Sequence, residues 1–539
     1  MSSSTLADAL ASLTSLTTAT ALATILSGLA VLWMSREAKQ RFWFSFSNLP
    51  GPRADSFMRG SFPSLLAKET GQTTREWFDK YGPTIQWRSL LYTPNILTCD
   101  LGLASYVLSH DDEFGRSKSH EADFRRLLGD RSLMTVDRSD HKRLRKIMAP
   151  AFGVGPMSDQ WPIFLHQARR LVDKVGPEGR QIGASSFMGM FTTDVMGMAS
   201  SGTNLGAMDG APNELYTAWM GILQTTRLRG VLWQIKTKLA IPGTWLHSER
   251  VLGKSKDTFQ RIGDDIVQTR KRELLGEGHE VTRSDFGSKN VISTLLKANM
   301  AQDVKDSSRM SDEELVSLLS TLILASTVTT TSTLIWCLSL LATRPETQAR
   351  LRAEVMDMED EPTMNDISKL PFLEAFVREL LRLNSAAPTI TRHTHKTVTV
   401  PLSTPIVGKN GSLIHAVTID KGTDINIAVP SVNTSKEIYG PDAEEFRPER
   451  FMDGAVKATG LPSIWGQSLT FSAGTRPCLG FRFAIMQVKA TVFALLRSFE
   501  VSQPEGQEVV RMGMIASSKT IVKGTNKSDI PIIFKPLSS

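Results

Sequence analysis

The most informative stretch of the 539-residue sequence is Phe471-Ser-Ala-Gly-Thr-Arg-Pro-Cys-Leu-Gly480. Its two glycines allow the backbone to turn tightly, and its proline stiffens the turn. A helical pattern covers residues 478–498, with a helix beginning Phe481-Arg-Phe-Ala484, so the sequence predicts that Cys478 sits where the helix begins. A thiol at a helix N-terminus and close to Arg476 is stabilised as a thiolate, which is the form that binds a metal ion.

The other two cysteines are not candidates for the same role. Cys99, Cys337 and Cys478 are odd in number and far apart, which excludes a disulfide framework or a thiolate zinc site. Cys99 lies in a strand-like run and Cys337 inside a long apolar helix, so we expect both to act as small hydrophobic side chains. Any chemistry carried by cysteine therefore depends on one residue.

Composition and periodicity predict a mainly α fold with small β-sheets. The chain is 41% hydrophobic and 22% charged, which excludes wholesale disorder and a many-helix transporter, and its net charge of +7 gives no nucleic-acid signal. Because no linker or repeat divides residues 61–539, we expect one large domain there. Helical periodicity covers residues 312–343, 345–358, 372–383 and 478–498, and strand-like alternation covers residues 84–87, 389–400 and 424–428.

The N-terminus has the composition of a membrane anchor. Residues 9–35 contain no charged side chain, and 27 helical residues exceed the roughly 30 Å hydrocarbon core of a bilayer. We therefore predict one transmembrane helix within residues 1–35, with the basic flank at Arg36, Lys39 and Arg41 on the cytosolic side. A secretory signal and a buried soluble helix are the alternatives. Residues 36–60 form a basic and aromatic flank that ends in a Pro-Gly-Pro hinge.

The cysteine stretch also carries a family resemblance. It matches the pattern Phe-x-x-Gly-x-Arg-x-Cys-x-Gly, and the chain resembles the cytochromes P450, specifically membrane-anchored microsomal members of fungal type, over roughly residues 50 to 535. The resemblance implies the cytochrome P450 fold and a thiolate-ligated heme b. It implies Cys478 as the axial ligand of the heme iron, and Phe471, Arg476 and Gly480 as cofactor-binding residues.

Two further segments match the family in order. His141-Lys-Arg-Leu-Arg145 resembles the helix in which an aromatic residue and an arginine four positions later bind a heme propionate, and this spacing puts both side chains on one helix face. Arg392 and Arg476 match other propionate partners, and the resemblance adds His141 and Arg145 to the cofactor-binding set. His393 and His395 form a His-x-His pair, but no third metal ligand is indicated.

A structural network beneath the heme is also implied. Glu379-Leu-Leu-Arg382 resembles the family's Glu-x-x-Arg motif, whose spacing lets the carboxylate and the guanidinium pair on one helix face. Arg450, in Phe446-Arg-Pro-Glu-Arg-Phe451, is the matching third member. Taken alone, such a motif is also compatible with a solvated ion pair.

The oxygen-activating helix departs from the family. The aligned segment is Ala325-Ser-Thr-Val-Thr-Thr330, in which Ser326 replaces a glycine and Val328 replaces an acid. The resemblance implies Thr329 and Thr330 as catalytic residues. Because valine cannot shuttle protons, the relay must use Ser326, Thr327, Thr330 and water, or the chemistry must differ. The alternative reading of this threonine-rich stretch is helix packing with hydroxyls bonded back to the helix.

The resemblance implies a monooxygenase that inserts one atom of O2 into a lipophilic small molecule, such as a terpenoid or another secondary metabolite. Electrons would come from NADPH through a separate cytochrome P450 reductase, with cytochrome b5 as a second candidate donor. The protein would be located in the endoplasmic reticulum membrane. Residues 116–146 hold ten Lys/Arg against five Asp/Glu, including Lys142, Arg143 and Lys146, and suggest the reductase-docking surface.

Two other hypotheses remain open from the sequence. The first keeps the heme thiolate but replaces O2 activation with isomerisation, dehydration or the use of peroxide, and it is motivated by Val328. The second is a heme-binding sensor or membrane adaptor without enzymatic activity.

Overall fold

The structure of the protein is a computed structural model. It describes residues 41–116, 121, 124–125, 128–210, 214–218, 221, 247–276, 290–300, 309–457, 460, 463–513, 519–525 and 527–537. The predicted membrane helix within residues 1–35 lies outside the described residues.

Helices make up most of the described chain. In chain order they are α1 Phe62–Leu66, α2 Gln72–Tyr81, α3 Leu101–Ser109, α4 Arg138–Met148, α5 Val154–Val175, α6 Ala184–Ser201, α7 His247–Gly276, α8 Val291–Met300, α9 Asp312–Thr343, α10 Pro345–Met356, α11 Met364–Ser368, α12 Pro371–Leu383, α13 Val429–Asn433, α14 Lys436–Tyr439 and α15 Phe481–Ser498. Short 3₁₀ turns cover Leu90–Tyr92, Ala149–Phe152, Ala207–Asp209 and Pro448–Phe451.

The strands form four small sheets. They are β1 Thr84–Arg88, β2 Pro94–Thr98, β3 Phe114–Gly115, β4 Arg180–Gly183, β5 Thr389–Thr394, β6 Val398–Val407, β7 Leu413–Ile419, β8 Asp424–Ala428, β9 Phe499–Ser502, β10 Val509–Met512, β11 Lys519–Val522 and β12 Pro531–Pro536. The largest sheet has the order β1-β2-β8-β5-β3, in which β2 and β8 are parallel and the other pairs are antiparallel. The others are β4-β12-β9, β6-β7 and β10-β11.

These elements confirm the prediction of a mainly helical fold with small sheets. Some boundaries differ from the prediction. The helix predicted over residues 345–358 ends at Met356, and the strand predicted over residues 389–400 is interrupted between β5 and β6. Helix α15 begins at Phe481 with Gly480 as its N-cap, so Cys478 lies just before the helix.

Helix α9 is the long apolar element at the centre of the fold. Ser311 and Glu314 form a capping box at its start, which satisfies two backbone donors that the first turn leaves free. It packs along α6 and α7. Within the described part of the chain, α9 is the one helix long and apolar enough to cross a membrane, but 56% of its most apolar window is buried in the protein. Its hydrophobic character therefore reflects a core helix.

Candidate active site

The cysteine loop runs over residues 471–480 and leads into α15. The Cys478 backbone N–H donates to the Phe471 carbonyl at 2.8 Å, which closes the loop on itself. The Phe471 ring is buried and packs against Trp465 and Phe481, with ring centroids 5.8 and 6.0 Å away. The loop is therefore held at both ends.

Gly474 is required by a close backbone approach. Its φ is +70°, and an added Cβ would lie 2.0 Å from the carbonyl oxygen of Leu108 at the end of α3. The next residue, Thr475, donates its N–H to the same oxygen at 3.2 Å. Only glycine combines this conformation with this contact, so the loop is anchored on α3.

The Cys478 side chain is exposed although it lies deep in the fold. Desolvation by burial raises the pKa of its thiol, and a hydrogen bond from the Gly480 backbone together with the charge of Arg145 acts in the opposite direction. The thiol is therefore accessible, although the protein around it removes part of its solvation. The sequence interpretation of a stabilised thiolate is corrected: desolvation outweighs the favourable interactions and raises the pKa of the thiol, and the cation that acts in the opposite direction is Arg145 instead of Arg476.

The other cysteines have no such environment. Burial raises the pKa of Cys99 to about 12 and that of Cys337 still further, so both remain thiols at neutral pH. Cys337 is buried within α9 and Cys99 is half-buried after β2. Cys478 is therefore the cysteine best placed to supply a ligand.

Helix α4 approaches the cysteine loop from the other side. Arg145 donates from Nη1 to the Pro477 carbonyl at 2.8 Å, next to the cysteine. His141, one turn earlier, is buried. Burial, with the positive charges of Arg476, Arg116 and Arg145, lowers the pKa of His141 to about 3, so its imidazole is neutral and keeps one N–H to donate.

A cluster of buried cations lies beside His141 and Arg145. Arg392 and Arg476 are buried, and desolvation with the charge of neighbouring arginines lowers the pKa of Arg392 to about 9 and that of Arg116 to about 10. Among the described residues, one carboxylate, that of Asp137, forms ion pairs with the cluster, and it contacts Arg476. Buried atoms of two of these arginines have no hydrogen-bond partner, namely Arg476 Nε, Arg476 Nη1 and Arg116 Nε.

These residues fit a cofactor with two carboxylates and a metal that binds a thiolate. Buried guanidinium groups without partners cost several kcal/mol unless an anion neutralises them, and their planar forks suit carboxylates. Open space is available beside the loop, since a Cβ on Gly480 would meet no atom within 4 Å. The structure thus brings His141, Arg145, Arg392 and Arg476 together close to the accessible thiol of Cys478.

The middle of α9 presents a narrow accessible face. Ala325 and Thr329, one turn apart, are exposed in a helix that is otherwise mostly buried. The Thr329 hydroxyl donates to the Ala325 carbonyl at 2.8 Å. This is the back-bonded geometry that the sequence left open as an alternative, and it leaves the lone pairs of the hydroxyl oxygen available to accept a hydrogen bond.

The neighbouring positions have different environments. Thr330 and Thr327 are buried, and the Thr327 hydroxyl has no hydrogen-bond partner. Val328 is half-buried and packs against the main hydrophobic core, and Ser326 makes one long contact of 3.4 Å with the Ile323 carbonyl. Of the two threonines predicted as catalytic, Thr329 is accessible and Thr330 is not.

Glu379, Arg382 and Arg450 form one fully buried network. Arg382 donates to both carboxylate oxygens of Glu379 at 2.7 Å, and Arg450 donates to Oε1 at 2.9 Å. All three side chains have no exposed surface. The remaining N–H groups of Arg382 bond the carbonyls of Asn433 and Ala443, so the charges are compensated by hydrogen bonds as well as by each other.

The network supports the cysteine loop through its neighbours. The Asn433 side chain donates to the Arg382 carbonyl and accepts from the Leu469 N–H at 2.8 Å, two residues before Phe471. The Thr470 hydroxyl donates to the Leu381 carbonyl at 2.7 Å. Helix α12 thereby fixes the segment from which the cysteine loop starts.

Sequence reasoning missed the roles of some charged residues. Arg116 joins the cationic cluster, although it lies just after the short strand β3 and carries no motif. Arg143, expected on the docking surface, instead pairs with Glu314 at the start of α9 and donates to the Arg309 carbonyl. His393 bonds Asp424 at 2.7 Å. Burial of loop residues leaves no periodic signal in a sequence, which is why Arg116 was not found.

Known proteins identify the class to which this fold and site belong. The family model described as Cytochrome P450 matches residues 50–523. Cytochrome P450 monooxygenase 205 of Postia placenta is 30% identical over 505 residues, which cover 91% of this chain and 92% of that protein. Cytochrome P450 monooxygenase 128 of the same fungus is 32% identical over 470 residues, covering 84% and 85%. Ganoderic acid synthetase CYP5150L8 of Ganoderma lucidum is 27% identical over 501 residues, covering 86% and 91%.

An accessible thiol beside a cluster of buried arginines, on a mainly helical fold, is the arrangement of a heme-thiolate protein. The chain belongs to the cytochrome P450 family, as a monooxygenase whose cofactor is a thiolate-ligated heme b. It uses O2, an organic substrate and a redox partner.

Proposed function

We propose that the protein is a membrane-anchored monooxygenase that inserts one oxygen atom into a lipophilic small molecule of secondary metabolism. The observation that carries this proposal is the accessible Cys478 thiol beside a cluster of buried, incompletely paired arginines. Residues 61–539 would form the catalytic domain, residues 36–60 the flank and hinge, and residues 1–35 the anchor in the endoplasmic reticulum membrane. The similarity to a ganoderic acid synthetase supports a biosynthetic role.

Each cofactor-binding residue has a defined task in this proposal. Cys478 would hold the heme iron through its thiolate. Arg145, Arg392 and Arg476, with the neutral His141, would bind the heme carboxylates, whose negative charge would neutralise the cationic cluster. Phe471 and Gly480 border the ring, the first by packing and the second by leaving room. Heme held in this way supplies O2 activation and transfer of one oxygen atom to the substrate.

Thr329 is the exposed polar side chain in the middle of α9. We propose that its hydroxyl holds a water molecule or a proton at Oγ1, and that the Ala325 carbonyl fixes its orientation. Thr330 supports the helix from its buried side. Because Val328 has no group that can transfer a proton, further proton relay must pass through ordered water and the partly accessible Ser326.

Electron delivery requires a separate protein. We propose that NADPH–cytochrome P450 reductase, or cytochrome b5, docks on the basic segment 116–146. Lys142 and Lys146 are exposed there, and Lys142 lies 3.6 Å from Asp111. Arg143 is removed from this proposed surface because it pairs with Glu314.

Val328 also supports a second candidate function. An apolar residue where relatives carry an acid favours a heme-thiolate isomerase, dehydratase or peroxide-using enzyme, since these reactions need no proton delivery for O2 cleavage. Direct use of peroxide would still employ Cys478 and the cationic cluster.

The two candidate functions differ in how much NADPH and O2 they consume for each molecule of product. Full-length protein with reductase is incubated with a library of lipophilic metabolites, and products are read by mass spectrometry together with NADPH and O2 consumption. The proposal predicts a gain of one oxygen atom matched to one NADPH and one O2. Turnover that needs neither NADPH nor O2, or that proceeds with hydrogen peroxide alone, would establish the alternative.

A further inference from the structure

Asp137 directly precedes helix α4 and is the N-cap residue of that helix. An aspartate at an N-cap normally accepts a hydrogen bond from a backbone N–H of the first turn. Here the side chain makes no such bond, and the carboxylate contacts Arg476 of the cysteine loop instead. The following residue, Arg138, has a φ of +49°, a conformation that costs free energy in residues other than glycine. Two local preferences are therefore given up where Asp137 meets Arg476.

The contact uses only part of the Arg476 guanidinium. Its Nη2 donates to Asp137 Oδ1, whereas Nε and Nη1 are buried and have no hydrogen-bond partner among the described residues. The Arg476 side chain is 2% exposed and that of Asp137 is 28% exposed. Because a guanidinium is planar and rigid, holding one of its nitrogens also restricts the directions of the other N–H groups. The unpartnered nitrogens of Arg476 therefore remain available to a second carboxylate.

His395 and Gly115 lie on the other side of the Asp137 carboxylate. His395 Nε2 is 3.5 Å from Asp137 Oδ2. Desolvation by burial lowers the pKa of His395, so its imidazole is neutral at pH 7 and does not compete with Arg476 as a cation. An added Cβ on Gly115 would lie 2.1 Å from His395 Nε2 and 2.8 Å from Asp137 Oδ2. The carboxylate is thus confined between the cysteine loop and the largest sheet.

The charge of Asp137 acts on the whole cationic cluster. Burial and neighbouring arginines lower the pKa values of Arg116, Arg392 and His141, and the negative charge of Asp137 acts in the opposite direction on each of them. Asp111 also acts on Arg392, but it forms no ion pair with the cluster. Among the described residues, Asp137 is therefore the carboxylate that influences all three of these side chains.

We propose that Asp137 is a positioning residue for heme binding, which holds Arg476 by Nη2 so that Nε and Nη1 stay available to a heme carboxylate. The same carboxylate places one negative charge beside the arginines, where it stabilises the oxidised, more positive state of the iron. An anion that only competed with the heme for Arg476 would weaken heme binding instead. The inference rests on the proposed cofactor-binding role of Arg476 and is independent of the substrate and the reaction.

The test compares heme-loaded, full-length wild type with Asp137→Asn, which keeps the shape of the side chain and removes its charge. Heme loss is followed by transfer to an excess of apomyoglobin, and the reduction potential is measured by spectroelectrochemical titration. We expect Asp137→Asn to lose heme about tenfold faster, because a charge-assisted hydrogen bond no longer holds Arg476. Its reduction potential should be higher than that of wild type, because a negative charge near the ferric heme is lost.

Asp140→Asn is the matched control, because Asp140 is an exposed carboxylate in the first turn of the same helix. This variant removes the same charge, and both its rate of heme loss and its reduction potential should stay close to those of wild type. Asp137→Glu keeps a carboxylate at the position, so its reduction potential should also stay close to the wild-type value.

Slower heme loss from Asp137→Asn would show that Asp137 competes with the heme, and it would overturn the positioning role, as would an unchanged rate. Equal reduction potentials of wild type and Asp137→Asn, or equal rises in both asparagine variants, would overturn the electrostatic role. Neither measurement needs substrate, reductase or turnover, so failure of the proposed reaction would leave both results interpretable.

Discussion

Gly474 shows how a single position constrains the cysteine loop. We predict that Gly474→Ala destabilises the protein by several kcal/mol, because its Cβ would collide with the Leu108 carbonyl and its φ of +70° is unfavourable for alanine. Gly253→Ala in α7 is the control, since a Cβ there meets nothing within 4 Å and should raise stability slightly. Chemical unfolding monitored by circular dichroism measures the free energy of unfolding of both variants. Equal stability of Gly474→Ala and wild type would show that α3 does not hold the loop.

His141 gives the site a defined dependence on pH. Its pKa is lowered to about 3 in the folded protein, so between pH 3 and 6.5 the unfolded chain binds one more proton than the folded chain. The contribution of the neutral His141 to the free energy of unfolding is therefore fully present above pH 6.5, and it is lost as the pH falls towards 3. In heme-free protein, we predict that His141→Gln reduces the slope of unfolding free energy below pH 6 by up to about 1.4 kcal/mol per pH unit.

Urea unfolding of both proteins at several pH values in this range measures the slope. His166→Gln is the control, because that histidine is exposed on α5. Identical slopes for wild type and His141→Gln would mean that His141 is not held neutral by the cationic cluster.

At the scale of elements, α12 and the 3₁₀ turn Pro448–Phe451 are joined by the Glu379 network. Glu379→Gln should destabilise the protein by about 3–5 kcal/mol, because it leaves the buried guanidinium groups of Arg382 and Arg450 without a counter-charge. Glu76→Gln, which breaks an exposed pair with Lys68, should cost less than about 1 kcal/mol. Thermal unfolding and the yield of heme-loaded protein are the measurements, and equal effects of the two changes would contradict a supporting network.

In the middle of helix α9, Thr329 is accessible and the next residue, Thr330, is buried. We predict that Thr329→Val lowers the product formed per NADPH consumed by about tenfold or more, because the hydroxyl that holds a water or proton is lost. Thr330→Val should reduce stability but leave this ratio unchanged, because Thr330 is buried. The measurement is the amount of product formed per NADPH oxidised by each of the two variants. The reverse pattern would assign the role to Thr330.

Much of this arrangement could be predicted from the sequence, because local signals carry it. Periodicity placed α9, α12 and β8 almost to the residue, and the spacing of Glu379 and Arg382 anticipated their contact. Contacts between distant segments left no such signal. The anchoring of Gly474 on Leu108, the burial of Arg116 and the pairing of Arg143 with Glu314 depend on how helices and loops meet in space.

For the whole molecule, the charge distribution has a structural explanation. The excess of positive charge in residues 116–146 is divided between buried arginines, which face the proposed cofactor, and exposed lysines, which are available to a redox partner. The mild net charge of +7 therefore conceals a local excess of positive charge that is divided between accessible and inaccessible side chains.

Cys478 is the one cysteine that we expect to hold the heme iron. The most direct measurement is the carbon monoxide difference spectrum of the reduced, heme-loaded protein. We predict the red-shifted Soret band of a thiolate-ligated heme in wild type and in Cys337→Ser, and its loss in Cys478→Ser. Retention of the band in Cys478→Ser, or its absence from correctly folded, heme-loaded wild type, would contradict the account.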